Sequence, residues 1–85
     1  MRYRIEITKG AERDLRALPQ QALKRVDARI LALTEHPRPD AVKNLAGAAD
    51  LYRVRVGDYR VIYEIQDRAV LVIIVRVRHR GEAYR

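Results

Sequence analysis

The 85-residue sequence contains no cysteine, serine, phenylalanine or tryptophan. Because cysteine is absent, the chain forms neither disulfides nor thiolate metal sites, and we expect a reducing, cytoplasmic compartment. The absence of serine excludes a serine nucleophile. Tyrosine occurs five times and supplies all the large aromatic rings of the chain, so aliphatic side chains must fill most of the core.

Long apolar runs and metal-binding motifs are missing as well. The longest apolar run, residues 69–75, is far shorter than the roughly 20 residues of a membrane-spanning helix. The first residues, MRYRIEIT, alternate charged and apolar side chains and do not resemble a signal peptide. The sequence has no H-x-x-x-H motif, carboxylate cluster or glycine-rich phosphate loop, so we expect no membrane partner, no metal and no cofactor.

One sign of charge dominates what is present. The formal net charge is +7, and fifteen of the eighteen lysines and arginines are arginines. Such a basic chain favours polyanions, nucleic acid first, and arginine binds phosphate through planar bidentate contacts. A solvated surface in an arginine-rich proteome explains the composition equally well, so the positions of the arginines must decide.

Hydrophobic periodicity predicts six secondary-structure elements. They are a strand over 2–7, a helix capped by Thr8 and running to about Ala17, a helix from Pro19 to Glu35, and strands over 51–56, 59–65 and 69–77. Because the connection between the helices is very short, we expect an antiparallel helical hairpin. The pattern therefore predicts a single α+β domain over 1–85 of order β-α-α-β-β-β, with an antiparallel sheet and the hairpin packed on one face.

The two-residue turn at 57–58 fixes the pairing of the strands that flank it. Glycine in its first position suits a type II′ turn. Pairing outward from this turn sets Arg55 opposite Arg60 and places Arg53 further along the same face. Opposed residues share a face with Cβ atoms roughly 5 Å apart, so the two arginines repel each other. An anionic ligand is the partner that such a pairing favours.

The last strand carries three more arginines at alternate positions, and its face depends on the turn around residues 67–68. An odd number of turn residues sets them beside Arg60, whereas a two-residue turn would bury their charges against the helices. We therefore predict an odd turn and an open face that bears Arg53, Arg55, Arg60, Arg76, Arg78 and Arg80. A plain solvent-exposed face is the alternative, although Glu64 and Glu82 are the only acids expected there.

This open face suits metal-free cleavage of RNA, in which the 2′-hydroxyl of the RNA is the nucleophile. The protein then supplies in-line geometry, cations for the charge that develops on phosphorus, and proton transfer at two oxygens. The C-terminal segment RHRGEAYR offers His79, Glu82 and Tyr84 for proton transfer or base stacking. His79 alternates away from Arg78, which favours a structural histidine, and Tyr84 alternatively packs the C-terminal tail.

The pattern KNLAG-x3-LYRVRVGDYRVIYEI, an apolar strand and then R-x-RHRGEAYR resembles the RelE branch of the RelE/ParE toxin superfamily. The resemblance covers nearly the whole chain. It implies the β-α-α-β-β-β fold and the toxin of a type II toxin–antitoxin system. It also implies a ribosome-dependent mRNA endonuclease that needs no metal and leaves a 2′,3′-cyclic phosphate. The partners implied are a cognate antitoxin, the ribosome and mRNA.

The resemblance also implies residue roles. By position, Arg60 stabilises the phosphate, Arg80 acts on the leaving group and Tyr84 stacks on a base. The expected RNA- and phosphate-binding residues are Arg53, Arg55, Arg76, Arg78 and Lys43. Where the family's best-known member has lysines, this chain has Arg53 and Arg55, and arginine is a poor base because it does not lose its proton. The general base therefore stays open among Tyr84, Glu82, His79 and water.

Two other functions fit the same sequence. A ParE-like toxin shares the fold and inhibits DNA gyrase by binding, without nuclease activity, but does not need the combination of Arg60, Arg80 and Tyr84. A non-catalytic RNA-binding module or a decayed toxin is the third interpretation. Because fold does not determine function, the endonuclease is favoured only by these residues.

Overall fold

A computed structural model describes residues 2–39, 43–44 and 50–79, and for Lys43 it describes the backbone alone. The elements in chain order are β1 (Arg4–Ile7), α1 (Lys9–Arg16), α2 (Gln20–Ala32), β2 (Lys43–Asn44), β3 (Leu51–Val56), β4 (Tyr59–Gln66) and β5 (Leu71–His79). The α+β class and the predicted order of helices and main strands are confirmed, with β2 as an additional short strand. None of the described helices is both long and apolar enough to cross a membrane.

The first helix begins and ends where the sequence predicts. Thr8 has extended backbone angles, and its hydroxyl oxygen accepts a hydrogen bond from the Ala11 N–H at 3.1 Å. This contact satisfies one of the free N–H groups at the helix start. Ala17 is the C-cap, which agrees with the predicted end, and α1 buries Ala11 and Leu15 against the sheet.

The second helix is shorter than predicted at both ends. Pro19 is the N-cap rather than the first helical residue, which is compatible with its lack of an N–H group. The helix ends at Ala32, because the N–H groups of Leu33 and Thr34 bond to carbonyls three residues back, as in a tight turn. Since its buried residues Val26 and Ile30 precede this turn, the core contacts of α2 are unaffected.

The sheet has the strand order β1-β5-β4-β3-β2 and is mixed rather than wholly antiparallel. The pairs β2–β3, β3–β4 and β4–β5 are antiparallel as predicted, whereas β1 runs parallel to β5. The prediction was wrong for β1 because periodicity identifies a strand but not its direction relative to a distant partner. The sequence did not predict β2, since a two-residue strand has no detectable periodicity.

One face of the sheet forms the core together with both helices. The buried side chains of the sheet lie in rows across β3, β4 and β5 and pack against the buried residues of α1 and α2. The sheet contributes Val54, Val61, Tyr63, Ile65, Val72, Ile74 and Val77 to this cluster. The predicted packing of the helical hairpin on one face is confirmed. We call the opposite face the open face.

The hairpin between β3 and β4 has the predicted geometry. Gly57 adopts a φ of +59°, a value that L side chains rarely take, and Asp58 does not have a positive φ. This combination is typical of a type II′ turn. The turn pairs Val56 with Tyr59 and Arg55 with Arg60, so the register of this hairpin is confirmed.

The connection between β4 and β5 differs from the prediction. Gln66 pairs with Leu71, so the turn consists of four residues, an even number, and the odd turn was wrong. Its first residue, Asp67, accepts a hydrogen bond from the Tyr3 hydroxyl at 2.7 Å and a bidentate pair from Arg38, with Nη2 at 2.9 Å. These contacts hold the pKa of Asp67 below its usual range, with the hydrogen bond from Arg38 the largest cause. Long-range contacts thus help to hold this turn.

A β-bulge on β5 reverses the effect of the even turn, which alone would have placed Arg76 on the helix side of the sheet. Tyr63 pairs with Ile74, but the preceding residue of β4, Ile62, pairs with Arg76, so Val75 has no residue opposite it on β4. A bulge adds one residue to one strand and reverses the facing of everything beyond it. Arg76 and Arg78 therefore keep the face that the odd turn was meant to give them.

Candidate nucleic-acid interface

Three arginines from three neighbouring strands lie side by side on the open face. Arg55 on β3 pairs with Arg60 on β4, and Arg60 pairs in turn with Arg78 on β5. We call Arg55, Arg60 and Arg78 the arginine row. Their neighbours along the strands, Val54 and Val61, point into the core, so strand alternation directs the row away from the helices.

A second line of residues crosses the sheet beside the arginine row. Lys43 on β2 is in register with Arg53 on β3, which pairs with Ile62 and through it with Arg76 on β5. Arg53 is half-buried. The register therefore brings six cationic positions to neighbouring sites on one face. Their roles in binding RNA stay predictions.

The three members of the arginine row differ in exposure. Arg60 retains only 5% of its accessible surface, whereas Arg55 is exposed and Arg78 is half-buried. Arg60 and Arg78 each already take part in an interaction within the chain. Arginine keeps its proton even when buried, and charge interactions strengthen where water is excluded. The row thus has a desolvated cation at its centre and a solvated one at its β3 end, a gradient that suits an anion held over β4.

Arg76 departs from the predicted phosphate-binding set. Its backbone position is on the open face, but its guanidinium reaches α1, where Nε lies 2.8 Å and Nη2 3.2 Å from the two carboxylate oxygens of Asp14. Burial raises the pKa of Asp14, but the hydrogen bonds from Arg76 and from the Val77 N–H outweigh it and hold that pKa below its usual value. An internal carboxylate thus compensates the charge of Arg76, and its role in binding phosphate stays a prediction.

His79 lies on the other side of the sheet from the arginine row. It pairs with Tyr59, and the two rings meet edge to face with centroids 5.3 Å apart. Tyr59 packs against the core cluster, so the geometry does not bring the imidazole to Arg60. This agrees with the alternation that favoured a structural histidine. The predicted residues Arg80, Glu82 and Tyr84 lie outside the described residues, as does the side chain of Lys43.

Acidic side chains are scarce within the strands that carry the arginine row. Glu64 is the only acid within β3, β4 and β5, and it is four residues along the strand from Arg60, about 13 Å at the usual rise. It accepts a hydrogen bond from the Gln66 side chain at 2.5 Å. In the ranges that the structure describes, no group of three or more His, Cys, Asp or Glu residues has the geometry of a metal site. The described part of the open face can therefore bind and stabilise negative charge.

Sequence reasoning missed Asp14 and the second role of Thr8. Asp14 lies three residues after Ala11 and one before Leu15, within the apolar stripe of α1. A carboxylate in such a stripe needs a cationic or N–H partner, and this was the available signal. Thr8, besides capping α1, donates a hydrogen bond from its hydroxyl to the Val75 carbonyl at 2.8 Å, for which the sequence holds no signal.

Comparison with known proteins places these features in context. A model of the family described as "ParE toxin of type II toxin-antitoxin system, parDE" matches residues 5–84. A putative toxin RelE1 of Methanocaldococcus jannaschii is 34% identical over 88 residues, covering 100% of this chain and 98% of that protein. The mRNA interferase toxin RelE of Escherichia coli K12 is 28% identical over 99% of this chain and 92% of its own length.

A solved structure shows the same fold. The toxin chain in the archaeal RelE–RelB complex from Pyrococcus horikoshii superimposes with a TM-score of 0.84 and 35% identity. The match covers 95% of this chain and 98% of that chain. The mixed sheet and the helical hairpin are therefore features shared with that protein.

Proposed function

Because the chain belongs to the family of RelE/ParE toxins from type II toxin–antitoxin systems, we propose that it is a toxin that cleaves mRNA on the ribosome. The observation that carries this proposal is the arginine row, in which three arginines occupy directly opposed positions on three neighbouring strands. The relative from Escherichia coli is named an mRNA interferase. Such an activity takes place in the cytoplasm, where translation occurs.

The proposed reaction needs no metal. The 2′-oxygen of the RNA attacks the adjacent phosphorus and loses its proton, while the bond from phosphorus to the 5′-oxygen breaks and that oxygen takes up a proton. The products are a 2′,3′-cyclic phosphate and a free 5′-hydroxyl. Negative charge grows on the phosphoryl oxygens in the transition state, and fixed cations at that place lower the barrier.

In this proposal the three arginines of the row have different roles, according to how exposed each is to solvent. Arg60, at its desolvated centre, stabilises the reacting phosphoryl group, since a charge interaction is strongest where water is excluded. Arg55 and Arg78 hold flanking phosphates through bidentate contacts. Arg53 and Lys43 extend the track for the RNA backbone toward the β2 edge.

The C-terminal residues complete the proposed site. Arg80 stabilises the leaving 5′-oxygen and Tyr84 stacks on a base, as the family resemblance implies. Proton transfer falls to Tyr84, Glu82 or water, and His79 is the weakest candidate because its ring lies on the opposite face of the sheet. We propose further that a cognate antitoxin binds this chain, as RelB binds RelE in the structure from Pyrococcus horikoshii.

The test is a translation reaction programmed with a defined mRNA, with and without ribosomes, read by primer extension. We expect cleavage only with ribosomes, and a loss of at least about 100-fold in rate for Arg60→Gln, the scale of removing one transition-state charge contact. Arg68→Gln, an exposed arginine of the β4–β5 turn, is the control with the same charge change. Circular dichroism verifies that each variant is folded.

Two results would reject the proposal. The first is full cleavage by a folded Arg60→Gln variant. The second is intact mRNA together with inhibition of purified gyrase in a supercoiling assay, which would establish the ParE-like alternative instead. Overexpression without any effect on bacterial growth would point to a decayed toxin.

A further inference from the structure

The position of Arg78 in the arginine row depends on the bulge at Val75. If the register set by the four-residue turn continued without it, Val75 would pair with Ile62 and Val77 with Arg60. Arg78 would then alternate onto the helix side of the sheet, because a shift of one residue exchanges the two faces of a strand. The bulge is therefore the feature that sets Arg78 beside Arg60.

Side chains of the α1 region hold this bulge. β1 pairs with β5 only as far as Ile74, whose carbonyl accepts the Thr8 N–H at 3.0 Å. Beyond that point no strand of the described residues pairs with the outer edge of β5. The Thr8 hydroxyl donates to the Val75 carbonyl at 2.8 Å, and the Asp14 carboxylate accepts the Val77 N–H at 2.9 Å. Backbone groups that no described strand pairs are thus satisfied at the bulged residue and two residues beyond it.

Asp14 makes the larger set of contacts. The same oxygen that accepts the Val77 N–H also accepts Arg76 Nε at 2.8 Å, and its second oxygen accepts Arg76 Nη2. Its side chain is 17% exposed, so the charge-assisted bonds form in a partly desolvated place where they are strong. One carboxylate therefore holds both the backbone and the side chain of consecutive residues next to the bulge.

We propose that Asp14 is a positioning residue of the RNA site: by holding residues 76 and 77 it keeps the bulge at Val75 and sets Arg78 beside Arg60. This inference rests on the proposed function in so far as Arg78 contacts RNA. It also gives an acid next to the open face a role that simple electrostatics would not predict. As a charge alone, Asp14 repels RNA, so its removal should strengthen binding; as a positioning residue, its removal should weaken it.

The first test is whether removal of the Asp14 carboxylate slows or accelerates RNA cleavage. We expect Asp14→Ala to lower the ribosome-dependent cleavage rate by about tenfold or more, the scale of a small displacement of a binding group, even though the variant gains net positive charge. Glu12→Ala is the matched control, since Glu12 is an exposed acid on the same helix, and we expect no loss there. Faster cleavage or tighter RNA binding by Asp14→Ala would overturn the proposal.

The second test reads the register directly and does not depend on RNA cleavage. Cross-strand nuclear Overhauser effects between Arg60 and Arg78 in the labelled full chain report whether the two residues are opposed. We expect them to weaken or vanish in Asp14→Ala and to persist in Glu12→Ala. If they persist unchanged in Asp14→Ala, the proposal is wrong, whatever the activity. If the wild-type chain shows them but cuts no RNA, the proposed function fails and the positioning still stands.

Deletion of Val75 provides a rescue experiment. Removing the bulged residue lets Arg76 follow Ile74 in a regular ladder, with Arg78 still opposite Arg60, so the register no longer needs Asp14. We expect Asp14→Ala to reduce cleavage far less in the Val75-deleted chain than in the full chain. An equal loss in both backgrounds would mean that Asp14 does not act through the bulge. If Asp14→Ala alone does not fold, Asp14→Asn, which keeps an oxygen for the Val77 N–H, replaces it.

Discussion

Replacing Arg55 by glutamine should stabilise the fold while it weakens RNA binding. Arg55 is directly opposite Arg60 on the neighbouring strand, with Cβ atoms roughly 5 Å apart in such a pair. Two unit charges about 7 Å apart repel by about 0.6 kcal/mol at the dielectric constant of water and by about 2 kcal/mol at an effective value near 20. Since Arg55 is exposed, the lower figure applies, and we expect a gain of about 0.5 kcal/mol in the free energy of unfolding.

Urea denaturation and RNA binding, each measured over a range of salt, check the two halves of this prediction. The gain in stability should shrink in 1 M salt, where the screening length is about 3 Å. Loss of one phosphate contact should reduce the slope of log affinity against log salt by about 0.7 for single-stranded RNA. Opposite signs for stability and binding are characteristic of a site that is kept for its ligand.

Arg68→Gln serves as the comparison, because Arg68 is an exposed turn residue outside the strands. It should change stability little and should leave the salt dependence of RNA binding near the wild-type value. The reasoning is refuted if Arg55→Gln destabilises the chain at low salt, or if its stability gain does not respond to salt. Either result would mean that the opposed guanidinium groups do not repel each other.

Three further predictions concern the scaffold. Tyr63→Phe removes a hydroxyl that donates to the Pro37 carbonyl at 2.7 Å and should cost about 1–2 kcal/mol in urea denaturation. Tyr52→Phe removes only a solvent-exposed hydrogen bond that the hydroxyl accepts from Arg38 Nε at 3.2 Å, and it should cost much less. The pKa of Asp14 in the folded chain lies below its ordinary 3.8, so the stability that its carboxylate contributes is present above that pH and is lost as the pH falls through the folded pKa. Asp14→Asn should therefore flatten the acid side of a plot of stability against pH. An unchanged acid side would contradict the contacts assigned to Asp14. Gly57→Ala should cost about 1–2 kcal/mol because of its positive φ, and Gly57→Asn less, so equal losses would argue against backbone strain.

Much of the candidate site was predictable from local sequence alone. Alternation in β3 and β4, together with a glycine-initiated two-residue turn, was sufficient to pair Arg55 with Arg60. That inference holds because a type II′ turn has a fixed length and a strand has a fixed period of two. The cap at Thr8 and the helical hairpin followed in the same way, since both depend on residues close together in the chain.

The sequence also predicted the face of Arg78, but for the wrong reason. It required an odd turn, whereas the fold has an even turn and a bulge at Val75. The two solutions give the same alternation because both add one residue between Arg60 and Arg78. The rule that charges avoid burial therefore predicted the correct face for Arg78. It did not predict that a bulge would bring this about.

By itself, the sequence determined the two helices, the four longer strands and the pairing of β3 with β4, because these depend on periodicity and on turn geometry. Only the tertiary structure decided that β1 runs parallel to β5, that Asp14 binds Arg76 and that the bulge lies at Val75. The contact between Asp14 and Arg76 joins residues 62 positions apart. Such contacts arise from the packing of α1 against the outer edge of β5, which no local pattern encodes.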